Sequence, residues 1–332
     1  MVSATSARAS GWHPQVVSFR LLVASVLAVA IVALASGCAV VPSVQWQRST
    51  FEGFEVISYV PEHPRGMAYL FHGTGGSARF ADRIETTDVI NRLVAKGYGF
   101  VSTSSTERTG NRRWNVFDAS LSTNPDLARL ARLQAHLVTT TGVQATNPLV
   151  GIGMSNGARF VTLWGQAWRN AGYPVRAIWA SHGRIAPPFA DPGQLTVPTV
   201  FSTSQNDFTV PPGDIAEAFV RTRNAGTPTE FHASQERDLS ARPYERIPGI
   251  DANESRQIVD AYVATGVWNA QGVRVEPDIQ RAAARAAAVT LPASVRAQAG
   301  AIQDQTALQL AVHQFTAEYA DQVIAFFERY VP

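Results

Sequence analysis

Hydrophobic and polar positions alternate between two periods along most of the chain. Short runs rich in β-branched and aromatic residues stand at Phe54 to Val60, Met67 to Phe71, Gly99 to Thr103, Leu149 to Ile152, Val175 to Ala180, Thr199 to Ser202 and Thr229 to His232. Each reads as a strand. Between them, apolar residues recur at helical spacing over Arg79 to Lys96, Pro125 to Thr140, Asn156 to Ala171 and Gly213 to Asn224. The sharpest helix start is Asn124-Pro125-Asp126, a capping side chain, a first-turn proline and an acid that suits the helix dipole.

Strands separated by helices need crossover connections, so the pattern predicts an α/β fold around a mainly parallel sheet, with ligands at the carboxyl ends of the strands. After His232 the alternation stops. Residues 233–312 are rich in Arg and Ala, with helical stretches at Glu254 to Thr265 and Pro277 to Val289, and Thr316 to Tyr330 closes the chain as an amphipathic helix.

Composition changes this picture little, since 332 residues with 45% hydrophobic and 16% charged positions suit an ordinary globular α/β chain. Charge is more informative. The net charge is +2, but Arg8 and Arg20 lie in the first 37 residues, which hold no acid, so the remainder carries 26 bases against 26 acids. A neutral body lacks the basic footprint that nucleic-acid binding requires.

The first 37 residues read as an address. The apolar run 21–35 follows Arg20 and ends at Ser36-Gly37-Cys38, which predicts an exported body. Cys38 is the single cysteine, so no internal disulfide can form. Leu34-Ala35-Ser36-Gly37-Cys38 resembles the lipobox of bacterial lipoproteins, although Ala35 stands where Leu is usual. The resemblance implies a signal peptide over 1–37, acylation of Cys38, a tether over 38–50 and a lipid-anchored domain over 51–332 in the cell envelope. The alternative is an uncleaved anchor, because residues 21–41 carry no charge.

Three motifs carry chemistry. Gly153-Met154-Ser155-Asn156-Gly157 follows the Leu149 strand and opens a helix, the context of a nucleophile elbow. His72-Gly73-Thr74-Gly75-Gly76 ends an earlier strand, and its unhindered amides suit an oxyanion better than a phosphate, since no Lys or dinucleotide fingerprint accompanies it. His72 itself reads as a brace for that loop. A nucleophilic serine needs an imidazole base and a carboxylate to orient it. His313 fits the base, leading into the last helix, with His182 as its one rival. Asp207, in the loop after the Thr199 strand, fits the acid, with Asp191 and Asp214 behind it.

The order Ser155, Asp207, His313, with the glycine-rich loop upstream, resembles the α/β-hydrolase superfamily over nearly all of residues 50–332. The general layout is similar to polyhydroxybutyrate depolymerases, feruloyl esterases and dienelactone hydrolases. The resemblance implies an eight-strand sheet, a Ser-His-Asp triad, and an oxyanion hole that here falls on the amides of Thr74 and Asn156. It further implies a serine esterase acting on a small-molecule or polymeric ester with no metal or organic cofactor. A catalytically silent binding protein and an acyltransferase with the same triad are the competing readings. The 106 residues between Asp207 and His313 exceed what a minimal fold needs.

Two further expectations concern substrate. The segment Glu107 to Trp114 puts Arg108, Arg112 and Arg113 at the same sheet edge, where they would meet an anionic group and Trp114 would form an apolar wall; otherwise it is a solvated loop. The insertion 233–312 is expected to cap Ser155, because Ile250, Ile258, Val259, Tyr262, Val263, Val267 and Trp268 need a partner surface; the alternative is a stability element packed elsewhere.

Overall fold

The computed structural model describes residues 46–332. The export segment, Cys38 and most of the expected tether lie outside the described residues. Among the described residues no helix is long and apolar enough to cross a membrane.

Eight strands form one sheet: β1 Gln47–Phe51, β2 Phe54–Tyr59, β3 Gly66–Phe71, β4 Tyr98–Thr103, β5 Leu149–Met154, β6 Val175–Ser181, β7 Thr199–Ser204 and β8 Thr229–Ser234. Their order across the sheet is β1-β2-β4-β3-β5-β6-β7-β8. The first two pairings are antiparallel and the rest parallel. This is the α/β-hydrolase fold. β1 begins inside the stretch expected to be tether, and Trp46 just before it packs edge-on against Phe100 at 5.1 Å.

Alternation along the central strands fills both faces. Met67, Tyr69 and Phe71 of β3 enter one core while Ala68 and Leu70 enter the other. The first core is closed by α2 Pro125–Thr140 and α3 Asn156–Asn170, with α4 Pro212–Asn224 beside them. The second is closed by α1 Ile84–Ala95 and α8 Ala320–Glu328. Asn124 caps α2 as its sequence requires, its Oδ1 accepting from the amides of Asp126 and Leu127.

The insertion is helical, with α5 Ala252–Val263, α6 Ile279–Ala287 and α7 Ala299–Gln309. Its apolar residues did not seek the pocket mouth. Ile250, Ile258, Tyr262, Val267 and Trp268 are buried on one another with Tyr244, Ile302 and Leu310, in a third core of the insertion's own. Burying side chains of this size stabilises by about 1.5–3 kcal/mol each, so mutual packing satisfies them without a second surface. Glu85 of α1 fastens this unit to the body. Its Oε1 accepts from Arg246 at 2.6 Å and Gln305 at 3.1 Å, and its Oε2 accepts from the Ala317 amide at 2.7 Å, just beyond His313.

Candidate active site

Ser155 sits at the turn between β5 and α3 with φ 59° and ψ −118°, a conformation that costs an L-residue about 1–3 kcal/mol. Two neighbours make that turn possible. A Cβ on Gly153 would collide with the Gly157 carbonyl, and one on Gly157 with the carbonyls of Phe71 and His72. Thus α3 starts in backbone contact with the end of β3. The Ser155 amide donates to the Ser181 carbonyl at 2.9 Å, and its carbonyl accepts from the Arg159 amide at 3.1 Å.

The loop after β3 is held from beneath by His72, as its position in the sequence suggests. Ser105 N–H can only donate, so His72 Nε2 accepts at 3.1 Å; Nδ1 therefore carries the proton and donates to the Gly73 carbonyl at 2.6 Å. Burial drives the His72 pKa down to about 4, with Gly73 opposing and nearby arginines adding to the fall. The ring is neutral at pH 7. Above it, the Thr74 amide has no hydrogen-bond partner among the described residues. The Asn156 amide is one of the unpaired donors that open α3.

Trp114 is 2% exposed, and its ring stacks on Phe160 at 4.7 Å while Nε1 donates to the His72 carbonyl at 3.0 Å. It lines the cavity, and it also braces the loop after β3. Asn156 grips the same residue through its side chain, Oδ1 accepting from Trp114 N at 2.7 Å and Nδ2 donating to Trp114 O at 3.3 Å. Asp126 accepts from the amides of Thr106 at 2.6 Å and Asn115 at 2.7 Å. The acid that opens α2 therefore also clasps both ends of the loop beside Ser155, a second use invisible in the sequence.

Of the arginines expected in that loop, Arg108 is turned away, donating to the Gly53 carbonyl at 2.7 Å and lying 4.0 Å from the Phe54 ring centre. Arg112 is exposed and lies outside the cavity lining, whereas Arg113 lines it.

At the other side of the sheet edge, His313 Nδ1 lies 2.7 Å from Asp207 Oδ2. Asp207 Oδ1 accepts from the amides of Thr209 and Val210, both at 2.9 Å. Burial would raise the Asp207 carboxyl, but the His313 hydrogen bond, the Val210 amide and the charge of the imidazoles outweigh it and hold it below the usual value. His313 Nε2 is buried and unpartnered, and no hydrogen bond joins it to Ser155 among the described residues. Such contacts often close only around a substrate.

His182 has another place than that of a base. It is fully buried at φ 58°, with its ring nitrogens 2.8 Å from Ser181 Oγ and 2.7 Å from Ser204 Oγ, and it meets His313 edge-on at 5.5 Å. Burial, then the charge of His313, push its pKa down to about 3. It is a neutral support beneath His313. Asp214 is committed to Arg184, and Asp191 is exposed.

Ser155, Thr74 and Asn156 line one cavity of about 640 Å³, together with Arg113, Trp114, Arg159, Arg184 and Val210. No residue of the insertion lines it, and neither does Asp207 or His313. Phe117, 72% exposed, stands among the lining residues.

No family model matches the chain, and no curated protein matches it in sequence. Solved structures similar to it include esterase PE8, at 20% identity and TM-score 0.44 over 58% of this chain and 90% of that one. A carboxylesterase from Mesorhizobium loti and a ferulic acid esterase each give 17% identity and TM-score 0.42, over 57% of this chain and 88% of theirs.

Proposed function

We propose that the protein is a serine hydrolase of carboxylic esters, carried out by Ser155, His313 and Asp207. The observation that supports this most is the strained Ser155, forced into its turn by two glycine contacts, at the same sheet edge as a His313–Asp207 pair whose second imidazole nitrogen is unpartnered. Ser155 Oγ attacks the acyl carbon while His313 Nε2 takes its proton, and Asp207 stabilises the imidazolium through Nδ1. The amides of Thr74 and Asn156 receive the oxyanion. His313 then returns the proton to the leaving alcohol, and water, deprotonated by the same nitrogen, frees the acyl group.

The test is labelling of the full-length chain with a fluorophosphonate and turnover of short 4-nitrophenyl esters, each compared with Ser155→Ala. Labelling that survives in Ser155→Ala, or no ester turnover, overturns the reading. The chain is further proposed to be exported and anchored through acylated Cys38, on the lipobox resemblance. Incorporation of an alkynyl fatty acid that Cys38→Ser abolishes supports the anchor, and equal incorporation removes it.

A further inference from the structure

Arg159 lies one helical turn beyond Ser155, its amide donating to the Ser155 carbonyl at 3.1 Å. Both residues line the same cavity. Among the described residues, every other arginine lacking a hydrogen-bond or ion-pair partner is exposed, whereas Arg159 is half-buried and has none for its guanidinium. The acids nearby are already engaged. Asp126 holds the Thr106 and Asn115 amides, Glu107 takes the Arg113 amide at 2.6 Å, and Asp214 pairs with Arg184. Burial, with the charge of Arg184 behind it, lowers the Arg159 pKa, so both forces disfavour the cation as it stands.

A cation left partly desolvated beside a candidate nucleophile is balanced when an anion arrives. A planar guanidinium with free N–H groups matches a carboxylate with two parallel hydrogen bonds. We propose that Arg159 is a specificity residue for esters that carry a second, ionised carboxylate, which it grips while the ester carbonyl lies at Ser155. The proposal rests on the serine-esterase reading and sharpens it from esters in general to anionic half-esters or esters of hydroxy acids.

The experiment uses the full-length chain in mild detergent and two matched pairs. Ethyl hydrogen glutarate against ethyl pentanoate places the charge on the acyl side, and 3-acetoxypropanoate against propyl acetate places it on the alcohol side. The wild type should prefer the charged member of at least one pair by about tenfold or more in kcat/KM, and the pair that shows it locates the carboxylate. Arg159→Met should remove that preference, mainly through KM, and Arg159→Lys should restore part of it. A ratio near one in the wild type for both pairs, or one unchanged in Arg159→Met, overturns the proposal. Calorimetry with glutarate separates this outcome from failure of the esterase reading. If no ester turns over, glutarate binding that Arg159→Met abolishes still supports the anion site, and binding that is absent or unchanged overturns it.

Discussion

The serine side and the histidine side of the site are built by different means. Ser155 is placed by backbone on backbone, since Gly153 and Gly157 bring β5, α3 and the end of β3 into contact that leaves no room for a side chain. His313 is placed by side chains. Asp207 holds its ring, and Asn206 holds the chain that leads to it, its amide donating to the Ala311 carbonyl at 2.9 Å and its Nδ2 to the Leu310 carbonyl at 2.8 Å. Asn206 Nδ2 also reaches Glu236 Oε2 at 2.9 Å, and Glu236 pairs with Arg274 inside the insertion. Steric placement is indifferent to pH and intolerant of volume. Polar placement has the opposite sensitivities.

Predictions that press on this contrast run from a catalytic effect of several powers of ten to a local one. Asp207→Asn keeps the size of the side chain but holds His313 in the wrong tautomer, so kcat should fall by about 10⁴-fold. A loss under about tenfold in steady-state ester assays would remove Asp207 from its role.

Acid should weaken the histidine side through His182. Its folded-state pKa lies at about 3, below the unfolded imidazole value of about 6.5, so on acidification the unfolded chain takes up this proton first. The stability due to neutral His182 is full above about pH 6.5 and declines toward the folded value, by about 1.4 kcal/mol per pH unit. His72, with a folded value of about 4, adds a similar slope, so the loop after β3, unlike the Gly153–Gly157 contacts of the elbow, also weakens in acid. Urea midpoints measured from pH 7 to 4 should fall more steeply for the wild type than for His182→Asn. Parallel slopes would contradict the buried neutral ring.

Gly157→Ala should cost about 3 kcal/mol or more, because its Cβ meets carbonyl oxygens that cannot retreat. Gly213→Ala, with open space around its Cβ, is the control and should melt like the wild type. Equal melting temperatures for the two would show that the elbow is not close-packed. Smallest is Asn206→Ala, which removes two side-chain hydrogen bonds and should cost about 1–3 kcal/mol with reduced kcat. Unchanged kcat and stability would mean that the insertion holds His313 without help.

Seven strands and the helices α1 to α6 and α8 were legible in the sequence because each carries its period. β1 was not, since Gln47-Arg48-Ser49-Thr50-Phe51 is exposed at four of its positions and its pairing with β2 is the main mark of a strand. α7 was hidden for a related reason. Its buried positions include Gln305, Thr306 and Gln309, so it has no apolar stripe to see. Ser155, Asp207 and His313 could be named from motif and order, and the structure brings the last two into contact. Asn206, Glu85 and Arg159 could not, because a polar residue announces its work only when its partners, or the lack of them, are known. The apolar count of the insertion showed that it must pack, without showing that it would pack on itself.

Asp207 and His313 are 106 residues apart and directly bonded. Between them stands a unit with its own core. Closing so long a loop costs little more than closing a short one, about 0.6 kcal/mol per doubling of length, but contacts this distant in sequence form late. The unit joins the body at Asn206, in the loop after β7, and at Glu85, in α1, and the Asp207–His313 pair can form only when its final turn is in place. On dilution from urea, burial of Trp164 and Trp179 in the two main cores should therefore precede the return of fluorophosphonate reactivity, and the last step of folding would also be the one that completes the proposed site.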